Sequence, residues 1–276
     1  MFRQIAEALN PLPGLRIILR NRSSLFYLVK RNISSKYQGS MLGLLWSFIQ
    51  PLMMLCIYTY VFSVVFKARW GEGIGSSKGA FAIILFCGMS LYTVFSEAVT
   101  LSANVVVNNA NLVKKVVFPL ALLPLSQAFA SFLQGCVWLF LLLAGAVLVY
   151  GNLSWSMLLL PLILLPYMLF TMGISFFTAS LTVYIRDTPY VLNVILQIFF
   201  FLTPIFYPVS AVPVSFRKFL LFNPLTCMIE QTRMVLLYAR IPDWKFIGIS
   251  LFIGIVVFIL GFGWFNKTQK GFADVI

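Results

Sequence analysis

The sequence predicts an all-α integral membrane protein with six transmembrane helices, an N-terminal amphipathic interface helix and two short re-entrant helices before the last span. Three observations carry this prediction. Of the 276 residues, 61% are hydrophobic and 10% charged, against roughly 45–50% and about 25% in soluble domains. Apolar stretches recur over residues 41–265 with no soluble-looking block between them. The Lys and Arg residues are scattered between those stretches, where they orient a chain in a membrane. The organisation expected is a cytoplasmic N-terminus at 1–40, one transmembrane domain at 41–265 and a cytoplasmic tail at 266–276.

Arg3, Glu7, Arg16, Arg20 and Arg22 interrupt every apolar run before Ser23, so no cleavable signal is expected and the first span directs insertion. Next, Leu25, Phe26, Val29, Ile33 and Tyr37 recur at helical spacing, with Lys30, Arg31, Ser34 and Ser35 on another face. Such a helix suits the interface plane, its basic face toward anionic headgroups of membrane lipids.

A span needs about 20 apolar residues, because the hydrocarbon core is about 30 Å thick. Segments 42–66, 80–103, 120–150, 156–184, 190–207 and 246–265 meet that length or approach it, the fifth being the shortest. With the N-terminus inside, twelve of the 20 basic residues are cytoplasmic: Arg3, Arg16, Arg20, Arg22, Lys30, Arg31, Lys36, Lys114, Lys115, Arg186, Lys267 and Lys270. The other eight (Lys67, Arg69, Lys78, Arg217, Lys218, Arg233, Arg240 and Lys245) lie opposite. The bias puts both termini in the cytoplasm.

Residues 208–244 are too apolar for an ordinary loop, yet Pro213, Asn223-Pro224, Glu230 and Arg233 break them into pieces shorter than a span. Counting the stretch as a seventh span would strand Glu230 and Arg233 in lipid at about 2–3 kcal/mol each. Two short re-entrant helices against protein, above a pathway, are expected instead.

The net charge of +13 forms no continuous basic face, which argues against nucleic acid as a partner. Cys56, Cys87, Cys136 and Cys227 make no CxxC pair and the chain holds no histidine, so neither a disulfide framework nor a zinc site is expected. The run 71–78, Gly-Glu-Gly-Ile-Gly-Ser-Ser-Lys, lacks the Gly-Lys-Ser/Thr of a phosphate loop and reads as a flexible connector. No cofactor is expected in this chain, ATP and Mg²⁺ belonging to a partner. Glu97 is the one acid inside an expected span; it is either a transport residue or a carboxylate satisfied by a partner helix or water. One acid makes no proton relay, so the energy is expected from a separate ATPase docking on the loop 108–115 and the turn Arg186-Asp187-Thr188-Pro189.

Aromatic residues make up 16% of the chain. Most are expected to pack or face lipid, but flat rings also suit sugar C–H faces. Trp46, Tyr58, Phe62, Phe200, Phe201 and Tyr207, with Glu230 and Arg233, are the candidates for a substrate path and its gate.

Residues 35–51 (SKYQGSMLGLLWSFIQP), 111–119 (NLVKKVVFP), Arg186-Asp187 with 197–207 (QIFFFLTPIFY), 222–225 (FNPL) and the tail from Phe265-Asn266-Lys267 to Phe272-Ala273 occur in this order. Together they resemble the polysaccharide-exporting type 2 ATP-binding-cassette permeases of the bacterial inner membrane, over nearly the whole chain. The resemblance implies a homodimer around a central path, two ATP-binding-cassette ATPase subunits below it, and a lipid-linked polysaccharide as cargo, first of all an undecaprenyl-diphosphate-linked O-antigen. It further implies a coupling helix around Asn111, Lys114 and Lys115, with Arg186 and Asp187 at the second cytoplasmic contact, and an outer gate in the re-entrant pair. Glu97 matches no motif of that family.

The rivals are an exporter of capsule glycan, teichoic acid or a small molecule, and a membrane enzyme such as a glycan ligase. An enzyme needs positioned acids or bases. The outer side offers Glu72, Glu230 and Asp243 alone, which disfavours it.

Overall fold

The computed structural model describes residues 20–66, 70, 78–115, 118–151 and 154–276, with the side chains of Lys115, Lys218, Phe219, Leu221 and Phe222 left aside. The glycine-rich run 71–77, Glu72 within it, and Arg3, Glu7, Arg16, Lys67 and Arg69 lie outside the described residues.

The described chain is helical, and it contains no strand. An N-terminal helix α1 (Arg22–Tyr37) leads into α2 (Trp46–Thr59), which continues as a π-helical segment, Tyr60–Val65. There follow α3 (Lys78–Val105), the short α4 (Ala110–Lys115), α5 (Leu122–Tyr150), α6 (Leu160–Tyr184) and α7 (Thr188–Leu202). Two short helices, α8 (Val214–Phe222) and α9 (Pro224–Leu236), precede α10 (Trp244–Thr268) and a terminal turn, α11 (Phe272–Val275).

Five helical segments among the described residues are long and apolar enough to cross a membrane: Gly43–Val65, Lys78–Val105, Leu122–Tyr150, Trp155–Tyr184 and Trp244–Val275. They overlap five of the six expected spans, the last continuing past residue 265 into the stretch expected as a tail. The expected segment 190–207 is instead the 15-residue α7, about 22 Å long at ~1.5 Å per residue. Its end has a local cause. Pro204 drives the preceding Thr203 to extended backbone (φ −85°, ψ 136°).

Other boundaries follow equally simple chemistry. Gly151 closes α5 in the left-handed region (φ 78°), which costs a glycine nothing. Asn223 Oδ1 accepts from Leu225 N at 3.0 Å to cap α9, whose first residue is Pro224. Asp243 caps α10 through Lys245 N at 2.9 Å.

The buried face of α1 differs from expectation, Leu28 joining it and Phe26 leaving it. Leu28, Val29 and Tyr37 are buried, whereas Phe26 is 71% exposed. The helix docks on α5 along 25, 28/29, 32/33 and 37, a stripe one position away from Phe26.

α3 forms the centre of the bundle, packed by α5, α6, α2, α7 and α9. Its most apolar window is 72% buried, against 6% for the first span, so α2 is peripheral and presents its face outward. α6 and α10 make the closest pairing. A Cβ on Gly261 would stand 2.0 Å from Gly173 O, and one on Gly173 would stand 2.5 Å from Val257 O. Small residues let the backbones touch where lipid offers no hydrophobic drive for association.

Candidate functional site

The aromatic candidates of α2 and α7 meet in one cluster. Phe62 stacks on Phe206 with centroids 4.5 Å apart, Tyr58 lies 5.4 Å from Phe206, and Phe200 lies 5.1 Å from Phe206 and 5.4 Å from Phe201. Tyr92 of α3 reaches Phe200 at 5.1 Å and donates its hydroxyl to Leu196 O, tying α7 to the central helix. The π segment adds a residue per turn where α2 meets the cluster, a distortion common at functional positions. Tyr207 donates to Phe201 O at 3.0 Å, closing the 203–207 turn over α7. Trp46 stands apart at the start of α2, 39% exposed. Phe201 is exposed while Phe206 is buried, so the cluster has a core and a face.

Beside it lies a buried cation. Arg233 of α9 has no exposed surface. Its guanidinium donates to Pro204 O (2.7 Å), Ile205 O (3.2 Å), Ile84 O (3.3 Å) and Glu230 Oε1 (2.7 Å), and sits 4.5 Å from the centre of the Trp70 ring. The planar fork suits this task, since one side chain spans the acceptors of three segments. It joins α9 to α3 and to the turn that follows α7. Asn223 adds a second tie, Nδ2 donating to Thr203 Oγ1 at 2.9 Å. Glycine makes room opposite: a Cβ on Gly88 would stand 2.6 Å from Arg233 Nη2 and force the guanidinium to shift. Of the three acids left by the sequence for outer-side chemistry, the two among the described residues are occupied, Glu230 by Arg233 and Asp243 by the cap of α10.

The coupling candidates gather at the other end of the bundle. Asn111 and Lys114 on α4 are exposed, as are Arg186 and Asp187 on the turn between α6 and α7. α11 touches both α4 and α6 and so bridges the two elements. Tyr184 Oη donates to Thr268 O at 2.8 Å, and Phe272 is fully buried against Phe265 at 5.4 Å. Arg31 Nη2 donates to Asn109 Oδ1 at 3.3 Å, which ties α1 to the same end.

Glu97 has a partner helix. Lys36 Nζ of α1 stands 2.8 Å from Glu97 Oε1, with both side chains partly exposed. Tyr37 donates to Gln134 Oε1 at 3.0 Å, and burial pushes its hydroxyl above the usual tyrosine range, so it stays a neutral donor. Sequence reasoning did not find the Lys36–Glu97 pair or the part of Tyr92 in the cluster. The paired charges are 61 positions apart and no periodicity links them.

The pattern of the ABC-2 type transporter family matches residues 23–237. The chain belongs to that family, and is thus a multi-pass membrane protein and a transport subunit. Among curated proteins it is similar to two O-antigen export system permease proteins RfbA of Klebsiella pneumoniae, 28% and 27% identical over 255 residues, covering 91% of this chain and 94% of each relative. It is also similar to the O-antigen export system permease protein RfbA of Myxococcus xanthus, 26% identical over 265 residues, covering 95% and 98%.

Proposed function

We propose that this chain is the permease of an exporter that moves a lipid-linked polysaccharide, first of all an undecaprenyl-diphosphate-linked O-antigen, across the bacterial inner membrane. The observation that carries this reading is the end-to-end similarity to O-antigen export permeases, 91–95% of this chain being covered. Two copies form the path, and two ATP-binding-cassette ATPase subunits supply the energy, with ATP and Mg²⁺ held there. α7 with its continuation through 207 crosses as the fifth of six spans, and both termini are cytoplasmic.

The named residues then divide the work. Asn111, Lys114, Lys115, Arg186 and Asp187 receive the ATPase, and α11 transmits their movement to the ends of α6 and α10. Tyr58, Phe62, Phe200 and Phe201 offer ring faces to sugar C–H surfaces. They lie between α2 and α7, whose apolar faces are open to a second copy, so the cluster borders a dimer path. α8 and α9 form the outer gate. Arg233 contributes mechanically: being buried, it fixes α9 to α3 and to the turn after α7, so that gate and path move together.

Deleting the chain tests the reading directly. Lipid-linked glycan should accumulate on the cytoplasmic side and return to export on complementation. A deletion strain with no trapped glycan would overturn the proposal.

A further inference from the structure

One cleft breaks the apolar character of the bundle. It has a volume of about 670 Å³ and opens between α1, the start of α2, α3 and α5, within the ~300–1,000 Å³ range of small-ligand sites. Arg31, Lys36, Glu97, Gln50, Gln127 and Gln134 line it. Its cations outnumber its acid two to one. Lys36 and Glu97 face each other at 2.8 Å with side chains 33% and 23% exposed, so an incoming anion reaches Lys36 without unfolding anything. Among the described residues neither Gln50 nor Gln127 makes a side-chain hydrogen bond, which leaves their amides for a ligand. Along α2 the face of Gln50 continues as Met53, Met54 and Ile57, exposed by 54%, 40% and 50%. A polar, net-positive cleft at the foot of an exposed apolar stripe matches one kind of molecule, a lipid with an anionic head.

We propose that this cleft binds the phosphate of a lipid headgroup, with Lys36 and Arg31 as its cations. Glu97 competes for Lys36, holding it in place while the cleft is empty and yielding it when phosphate enters. The inference rests on the membrane reading of the chain and not on the identity of the cargo. Two lipids share this chemistry, a bulk phospholipid and a polyprenyl phosphate.

The test is native mass spectrometry of the purified full chain in detergent, titrated separately with phosphatidylglycerol, undecaprenyl phosphate and phosphate-free diacylglycerol. Retention of either phosphate lipid should exceed that of diacylglycerol. Lys36→Gln should lower it roughly two- to five-fold, the range of a partly exposed ion pair, and Glu97→Gln should raise it. Arg31→Gln, at an exposed position, should also lower it, and it serves if the paired variants fail to fold. Preference for undecaprenyl phosphate ties the cleft to a polyprenyl-linked cargo, while equal retention of both assigns it to membrane phospholipid. Equal retention of diacylglycerol, unchanged retention in both Lys36→Gln and Arg31→Gln, or a fall in Glu97→Gln refutes the site. Absence of trapped glycan in the deletion strain refutes the export reading and leaves these titrations untouched.

Discussion

Replacing Arg233 by methionine is the sharpest perturbation the structure offers. The side chain keeps its volume class and loses four hydrogen bonds, three to main-chain carbonyls and one to Glu230. Removing one partner of a buried ion pair costs about 3–5 kcal/mol, since the other charge and its acceptors are left unpaired. Glu230 retains 31% side-chain exposure and regains some water, which favours the lower end. A loss of about 3 kcal/mol is roughly a 150-fold fall in the folded-to-unfolded ratio. It corresponds to about 6–12 °C in Tm on the scaling for domains of 150–250 residues. Thermal unfolding of the purified chain in detergent, followed by tryptophan fluorescence, measures it. Arg233→Lys should recover only part, because one ammonium cannot span acceptors on three segments. Arg233→Met with Glu230→Gln should recover part by removing the orphaned carboxylate. A Tm for Arg233→Met within a degree of the parent protein would refute the clamp.

Gly88→Ala should weaken the same clamp by about 1–3 kcal/mol, because its Cβ would press on Arg233 Nη2 at 2.6 Å, and its effect should largely vanish in an Arg233→Met background; additive losses would show the two sites to be independent. Gly261→Ala should be more damaging than Gly248→Ala, since the first Cβ would lie 2.0 Å from a backbone oxygen and the second meets nothing within 4 Å; equal expression and Tm for the pair would contradict the α6–α10 backbone contact. Reversing charge at Lys114 and Lys115 should reduce co-purification of the ATPase and export by several-fold while leaving membrane insertion intact, and normal assembly with normal export would count against coupling there. Cysteines placed at the exposed Ser215 and Asp243, in a background lacking the four native cysteines, should react with an impermeant thiol reagent from outside the cell; labelling from the cytoplasm alone would overturn the topology.

The sequence by itself determined that this chain lives in a membrane, roughly where five helices long enough to cross it lie, and that residues 208–244 form two short helices. These properties are local. Runs of apolar side chains set span length, Pro204 and Asn223-Pro224 stop helices wherever they stand, and Gly151 closes one without strain. The order of short motifs also pointed to the transporter family before any fold was known. Tertiary structure decided which side chains share a space. It drew Tyr58 and Phe62 to Phe200, Phe201 and Phe206 while leaving Trp46 aside, and turned Phe26 outward. It gave Glu97 its cation from a helix 61 positions earlier, and Arg233 its acceptors from Ile84, 149 positions away. Pairings of this kind have no signature in sequence spacing, because they depend on how helices cross. In an almost uniformly apolar chain every face of a helix looks fit for burial, and only the packing of its neighbours selects one.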